Sequence, residues 1–201
     1  RHTMIEMNWF LPTGGDSRDV LPDETSVNRS PSHHYLAQVA RACEDLGFEA
    51  LLTPCGTGCE DAWLATSSLI PLTSRIKFLV AFRPALLTPT LAAQMASTMQ
   101  RMSGGRCIVN IVTGAEQAEL ARFGITEDKE TRYERTGEFV QVMRGAWSGE
   151  PFSFTGKFFE VTDATTREVP SPIPPIYFGG ASDAAENVAA ENVDLYLSWG
   201  E

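Results

Sequence analysis

Apolar runs of strand length alternate along the chain with segments whose apolar residues recur at helical spacing. Short apolar runs bounded by Gly, Pro or Asp favour strands, and a recurrence every three to four residues favours helices. Strands are therefore predicted at 5–11, 50–54, 76–82, 107–112, 176–178 and 194–199. Helices are predicted at 33–46, 59–70, 133–147 and 182–191, and a hairpin at 152–161.

A further helix is delimited by local end signals. Thr88-Pro89 supplies an N-cap hydroxyl followed by a proline at the first helical position, and Gly104-Gly105 supplies a C-terminal stop. The apolar side of this helix is predicted to carry Leu91, Met95, Met99 and Met102.

This succession of strands and helices predicts an α/β fold with a parallel sheet. A doubly wound dinucleotide fold would place Gly-x-Gly-x-x-Gly after its first strand, whereas residues 12–16 are PTGGD. A TIM (β/α)8 barrel is therefore the prediction. Because a complete barrel takes ~250 residues, we expect residues 1–201 to form one incomplete barrel domain, truncated at the C-terminus, with about six of eight strands and a small β-hairpin insertion.

Charge and composition narrow the classes of partner. The net charge is −10, from 26 acidic and 16 basic residues, and no basic run is present, which argues against nucleic acid and anionic membranes. The sequence shows neither an apolar run of ~20 residues nor a signal-peptide pattern. The four cysteines lie in helix- or strand-like segments, so reduced thiols and a cytoplasmic location are expected.

The segment at 174–183, PPIYFGGASD, indicates either an anion site or a strand-to-helix connection with nothing bound. An apolar strand runs into a glycine pair, and the next residues open a helix of small side chains. Such a turn exposes backbone N–H groups at the positive end of the helix, and glycine leaves room for a ligand to approach.

Other candidate residues follow the predicted strands, where barrel enzymes place their sites. Cys59 is predicted at a helix start, where its thiol would be reactive, or else it is a buried and inert thiol. Arg83 either holds an anion or pairs with Glu60 or Asp61. C-x₃-C at 55–59 lacks the further ligands of a zinc site, so no metal is expected.

Asn110 and Tyr133 are the polar candidates within predicted elements. Asn110 interrupts an apolar strand, and a buried amide must bond either a ligand or a neighbouring backbone group. The Tyr133 hydroxyl could reach a phosphate, or the ring could serve packing alone. No Ser-His-Asp set, catalytic carboxylate pair or P-loop is evident.

Together these segments resemble the bacterial luciferase-like FMN-dependent monooxygenases, closest to the alkanesulfonate monooxygenase branch. The matching pieces occur in the family's order along nearly the whole chain, which corresponds to the N-terminal part of the family's proteins. The matching pieces are MNWFLPT (7–13), GCEDAW (58–63), IKFLVAFRP (76–84), GR (105–106), NIVTG (110–114), RYE (132–134), YFGGAS (177–182) and DLYLSWGE (194–201).

The resemblance implies a two-component enzyme. Reduced FMN, supplied by a separate NAD(P)H-dependent flavin reductase, and O2 would cleave the C–S bond of an alkanesulfonate to give an aldehyde and sulfite. A homo-oligomer is expected for the full-length protein. Catalytic residues beyond the equivalent of Glu201 would complete the site, so the chain as given would be inactive by itself.

The resemblance also assigns roles to residues. Cys59 would tune flavin and substrate binding without acting as a nucleophile, and Arg83 would contact the substrate. Gly180, Ala181 and Ser182 would hold the FMN phosphate, Tyr133 would reach it, and Asn110, Thr113 and Gly114 would line the flavin.

Departures from the family pattern keep other functions open. Gly14 replaces the family's usual histidine, Thr57 replaces its arginine, and Ala181 replaces its serine. The alternatives are a dimethylsulfone, nitrilotriacetate or alkane monooxygenase, a deazaflavin-dependent dehydrogenase, or a non-catalytic flavin-binding fragment. Cys59 and the Arg83-Pro84 pair favour the sulfonate branch.

Overall fold

A computed structural model describes residues 5–18, 29–179, 187 and 192–197. The chain divides into two compact units, residues 1–81 and residues 82–201. Each unit contains parallel strands joined by helices.

The first unit contains strands whose neighbours are parallel. Trp9 of the first strand pairs with Leu51 of the second, which pairs with Phe78 of the third. Leu51 and Phe78 are fully buried because helices cover the sheet. The elements are β1 (Asn8–Phe10), α1 (His33–Asp45), β2 (Ala50–Thr53), α2 (Ala62–Leu69), a 3₁₀ turn (Ile70–Leu72) and β3 (Lys77–Phe82), whose last residue begins the second unit.

Side-chain caps fix where the helices of this unit begin. Ser32 Oγ accepts the Tyr35 N–H at 3.2 Å, and α1 starts at the next residue, as predicted. Asp61 accepts the Leu64 N–H at 2.8 Å, so α2 begins at Ala62. The prediction that this helix starts at Cys59 is wrong, because the carboxylate cap lies two residues further along.

The described residues of the second unit contain a parallel sheet, a hairpin, two long helices and one short helix. Asn110 pairs with Tyr177 and Tyr177 with Leu195, both in parallel, and the hairpin strands pair antiparallel as predicted. The elements are a 3₁₀ turn (Pro84–Leu86), α3 (Pro89–Ser103), β4 (Cys107–Ile111), α4 (Gln117–Arg122), α5 (Lys129–Ala146), β5 (Phe152–Thr155), β6 (Glu160–Ala164), β7 (Ile176–Gly179) and β8 (Leu195–Leu197).

Helix α3 has the predicted ends but a different buried face. Thr88 Oγ1 accepts the Leu91 N–H at 3.4 Å, and Gly104 adopts a left-handed φ of 68°. Leu91 and Met102 are exposed, which contradicts their predicted place on the buried side. The buried face is made mainly of small residues, namely Ala92, Ala93, Ala96, Ser97 and Ser103 together with Met99 and Gln100. Helix α5 packs on α3.

The predicted fold class, an incomplete TIM barrel with a hairpin insertion, is confirmed by this succession of parallel strands and helices. Helix α4 was not predicted, and α5 begins before the predicted residue 133, at Lys129. The helix predicted at 182–191 lies outside the described residues except for Asn187. The helices of the described ranges lack the length and the apolar character that a membrane span needs.

Glu44 should stabilise the first unit only in its ionised form. Burial alone would raise the pKa of Glu44, but hydrogen bonds from the Arg75, Ile76 and Ser74 N–H groups and the charge of Arg75 lower it overall. Because the folded pKa is below the unfolded value, the stabilisation is present above pH ~4.3 and is lost as the pH falls through the folded pKa. We expect Glu44→Gln to lower the free energy of unfolding by about 1 kcal/mol at pH 7.

Urea unfolding at pH 7 and at acidic pH measures this effect. The difference between Glu44→Gln and the wild type should shrink as the pH falls. The exposed Glu6 provides a matched control, since Glu6→Gln should change stability little at either pH. A Glu44→Gln effect that is the same at both pH values would contradict the assignment.

Trp147 should anchor the contact between α5 and α3. Its side chain is 1% exposed, and its indole Nε1 donates to the Ala93 carbonyl at 3.0 Å. Trp147→Phe removes that bond and leaves a cavity, so we expect a loss of roughly 2 kcal/mol in urea unfolding followed by circular dichroism. Trp9 is 53% exposed, and Trp9→Phe is the control that should cost far less. Equal losses would refute the anchoring role.

Candidate functional site

In the second unit, the polar candidates gather at the carboxyl ends of two strands. Arg83 directly follows β3, and Thr113 and Gly114 follow β4. The Val112 N–H donates to the Phe82 carbonyl at 3.0 Å, which joins the two strand ends. Arg83 and Thr113 are 6% and 7% exposed, so this edge presents buried polar groups.

Arg83 is an ion-paired residue in the structure. Its guanidinium donates to the carboxylate of Glu119 on α4, and the two side chains are 6% and 16% exposed. Its Nη1 also donates to the Val112 carbonyl at 3.5 Å. The partner of Arg83 is thus Glu119, which the sequence-based prediction did not name. The positive charge of Arg83 is compensated within the second unit.

Gly114 occupies a position that a larger residue could not. Its φ of +88° lies in the left-handed region, and an added Cβ would stand 2.6 Å from Arg83 Nη1 and 2.6 Å from Leu120 Cδ2. The Gly114 carbonyl accepts from Arg132 Nη2 at 3.3 Å, and Arg132 Nη1 donates to the Glu127 carbonyl at 2.5 Å. Arg132 is 5% exposed and contacts the turn directly, a role that the sequence did not reveal.

The buried amide of Asn110 on β4 differs from the buried amide of Gln100, which lies beside the same strand. Gln100 contacts the start of β4: its Oε1 accepts the Cys107 N–H at 2.7 Å, and its Nε2 donates to the Pro172 carbonyl at 2.7 Å. Asn110 lies near the carboxyl end of β4 and is 6% exposed, and its Oδ1 is buried with no partner among the described residues. The amide at the carboxyl end therefore retains an unused buried acceptor.

Tyr133 lies on α5 beside the strand that leads to the predicted phosphate turn. Its ring meets Phe178 of β7 edge-on at a centroid distance of 5.9 Å, and the Lys129 ammonium lies 5.8 Å from its centroid. Tyr133 also borders a cavity of about 320 Å³ that Glu138 and Lys157 help to line. Gly180, Ala181 and Ser182 lie outside the described residues, so their phosphate-binding role stays a prediction.

In the first unit, Cys59 borders a cavity of about 600 Å³, which Trp9, Phe10 and Tyr35 also line. Cys59 lies in a turn before α2, with its N–H donating to the Gly56 carbonyl at 3.1 Å. An added Cβ on Gly14 would stand 3.6 Å from Cys59 Sγ. The thiol is partly exposed and not buried, and it lies before α2 and not at the start of that helix, so the structure contradicts both predicted settings.

The remaining cysteines give a useful contrast with Cys59. Cys107 on β4 is buried, and desolvation raises the pKa of its thiol to about 12, so it is unreactive. None of the four cysteines forms a disulfide. Among the described residues, no group of His, Cys, Asp and Glu is arranged to hold a metal ion.

A polar network at the edge of the Cys59 cavity was not predicted. The Tyr35 hydroxyl donates to Asp16 Oδ2 at 2.5 Å, and Arg29 Nη1 donates to the Tyr35 oxygen at 3.2 Å. Burial and the bond to Asp16 raise the pKa of Tyr35, and Arg29 partly opposes them. Arg29 lies six residues before Tyr35 and Asp16 lies 19 residues before it, and no spacing rule links the three.

Comparisons with known proteins identify the family. The luciferase-like monooxygenase family model matches residues 5–201. The EDTA monooxygenase of Chelativorans sp. BNC1 is 21% identical, with a TM-score of 0.80 over 95% of this chain and 52% of its own. The coenzyme F420-dependent tetrahydromethanopterin reductase of Methanopyrus kandleri is 20% identical, with a TM-score of 0.76 over 96% of this chain and 55% of its own.

A third similar structure was solved with FMN. It is the oxygenating constituent of the 3,6-diketocamphane monooxygenase of Pseudomonas putida, 17% identical, with a TM-score of 0.69 over 88% of this chain and 51% of its own. The chain spans about half the length of these proteins. The structural likenesses establish the shared fold, and the family model covers almost every residue. The chain belongs to the luciferase-like monooxygenase family.

Proposed function

We propose that the protein is an FMN-dependent monooxygenase that cleaves the C–S bond of an alkanesulfonate, releasing an aldehyde and sulfite. A separate NAD(P)H-dependent reductase supplies reduced FMN, which when bound provides the electrons for oxygen activation. The family match over residues 5–201 supports an oxygenase, and the FMN in the Pseudomonas putida structure supports the choice of cofactor. The sulfonate substrate rests on the resemblance in sequence alone.

The buried amide oxygen of Asn110, which has no partner among the described residues, is the observation that carries the cofactor proposal. A buried acceptor without a partner costs stability, and such a group persists where a ligand satisfies it. The ring system of an oxidised or reduced flavin carries an imide N–H, which is a suitable donor. Asn110 therefore fits a flavin, and Thr113 and Gly114 lie on the same strand end.

The other site residues keep separate proposed roles. Gly180, Ala181 and Ser182 hold the phosphate through backbone N–H groups, which is the usual use of a strand–glycine–helix turn. Tyr133 contributes from α5. Cys59 tunes flavin and substrate binding from its cavity, without serving as a nucleophile.

A second candidate function is favoured by the state of Arg83. A cation with unused charge is a strong partner for a sulfonate, but Arg83 is already paired with Glu119. This pairing favours another luciferase-like oxidoreductase with an uncharged substrate, either an FMN monooxygenase or a deazaflavin-dependent dehydrogenase. The Methanopyrus kandleri reductase, named for its dependence on coenzyme F420, shares the fold.

Asn110→Leu separates cofactor binding from stability. Removing a buried acceptor without a partner should leave the melting temperature of the apoprotein unchanged or higher, whereas the affinity for FMN should fall about tenfold. Gln100→Leu is the matched control, because Gln100 makes two internal bonds and its loss should lower the melting temperature. Thermal unfolding and quenching of FMN fluorescence measure the two effects.

A different pattern would count against the cofactor proposal. If Asn110→Leu destabilises the protein as much as Gln100→Leu and leaves FMN affinity unchanged, Asn110 is a structural residue. If the wild type binds coenzyme F420 and not FMN in the same assay, the deazaflavin alternative replaces the FMN proposal.

Sulfite release tests the substrate. The full-length protein, FMN, NADPH, a flavin reductase and a series of alkanesulfonates should yield sulfite in equal amount to the aldehyde. Omitting the reductase should abolish both products. Turnover of an uncharged substrate, with no sulfite from any sulfonate, would favour the second candidate.

A further inference from the structure

Arg83 is a buried cation at the carboxyl ends of β3 and β4, where the cofactor is proposed to bind. Its contacts therefore determine its role. We propose that Arg83, Glu119 and Arg132 form a clamp that fixes the turn at residues 112–114. In this proposal Arg83 is a positioning residue and does not bind the substrate's anion. The functional part of the inference rests on the proposed function, in which Thr113 and Gly114 line the flavin.

The clamp holds the turn from two sides. Arg83 Nη1 donates to the Val112 carbonyl at 3.5 Å, and Arg132 Nη2 donates to the Gly114 carbonyl at 3.3 Å. Glu119 on α4 orients Arg83, and the Glu127 carbonyl orients Arg132. Thr113 lies between the two held carbonyls.

Gly114 explains why the turn needs such support. Glycine has the widest choice of backbone conformations, so it loses the most freedom when it is fixed. The Arg83 guanidinium fills the space where a Cβ would stand, 2.6 Å from Nη1. The side chain of Arg83 therefore packs against the glycine and restricts it.

The ion pair with Glu119 makes Arg83 a poor site for an anionic ligand. The charge of Arg83 is already balanced by a carboxylate held on the same unit, which a free sulfonate would have to displace. This pairing favours a positioning role for Arg83.

Hydrogen–deuterium exchange on the whole 201-residue chain tests the clamp directly. Arg83→Met and the nearly isosteric Glu119→Gln should speed exchange in the turn at residues 112–116 by about tenfold, the equivalent of ~1.4 kcal/mol. Exchange within β4 (Cys107–Ile111) should change much less. Arg83→Lys should give an intermediate result, because it keeps the charge but loses the planar fork.

Arg101→Met is the matched control. Arg101 pairs with Glu168, but their side chains are 44% and 56% exposed, so the change should leave the turn unaffected. Equal acceleration in the turn and in β4 would show general destabilisation and overturn the proposal. Unchanged exchange in the turn of both Arg83→Met and Glu119→Gln would also overturn it.

Ligand binding separates this inference from the proposed function. Arg83→Met and Glu119→Gln should weaken FMN binding about tenfold, and Glu119→Gln should not strengthen binding of methanesulfonate, measured by calorimetry. Tighter methanesulfonate binding in Glu119→Gln, or FMN binding equal to the wild type in both variants, would overturn the positioning role. If the wild type binds no FMN, the proposed function fails, and the exchange data alone decide whether the clamp exists.

Discussion

Strand β4 is buried along its whole length, so the polar groups at its two ends must find partners inside the protein. At its start, Gln100 of α3 satisfies the Cys107 N–H. At its carboxyl end, Arg83 and Arg132 satisfy carbonyls of the following turn. The helices around this strand therefore carry buried polar side chains, and the arrangement of the candidate site follows from that requirement.

The features that the sequence predicts well depend on residues close together in the chain. Thr88, Pro89 and Gly104 delimit α3 because a cap, a fixed φ and a left-handed stop each act within one helical turn. The hairpin around Gly156 is set in the same way, by the short turn between its strands. The alternation of such elements was enough to predict the fold class.

The features that the sequence does not predict depend on distant partners. The polar stretch after β4 contains several glutamates, and only the folded chain selects Glu119 as the partner of Arg83. The buried face of α3 consists mainly of small residues, and not of methionines, because α5 packs against it. Asn110 was predictable as a candidate because a polar residue interrupts an apolar strand, but its unused acceptor is a result of the fold.

Charge also bears on how the proposed anionic cofactor would be held. A net charge of −10 repels a flavin phosphate at long range, so electrostatic steering would not be the source of its affinity. Arg83, which contacts the turn after β4, is paired with Glu119, so it contributes little free charge. Under the proposed function, recognition then depends on short-range, directional hydrogen bonds. Such bonds require a fixed backbone, and in the proposed clamp a paired arginine that holds a glycine turn would contribute to binding by fixing that backbone.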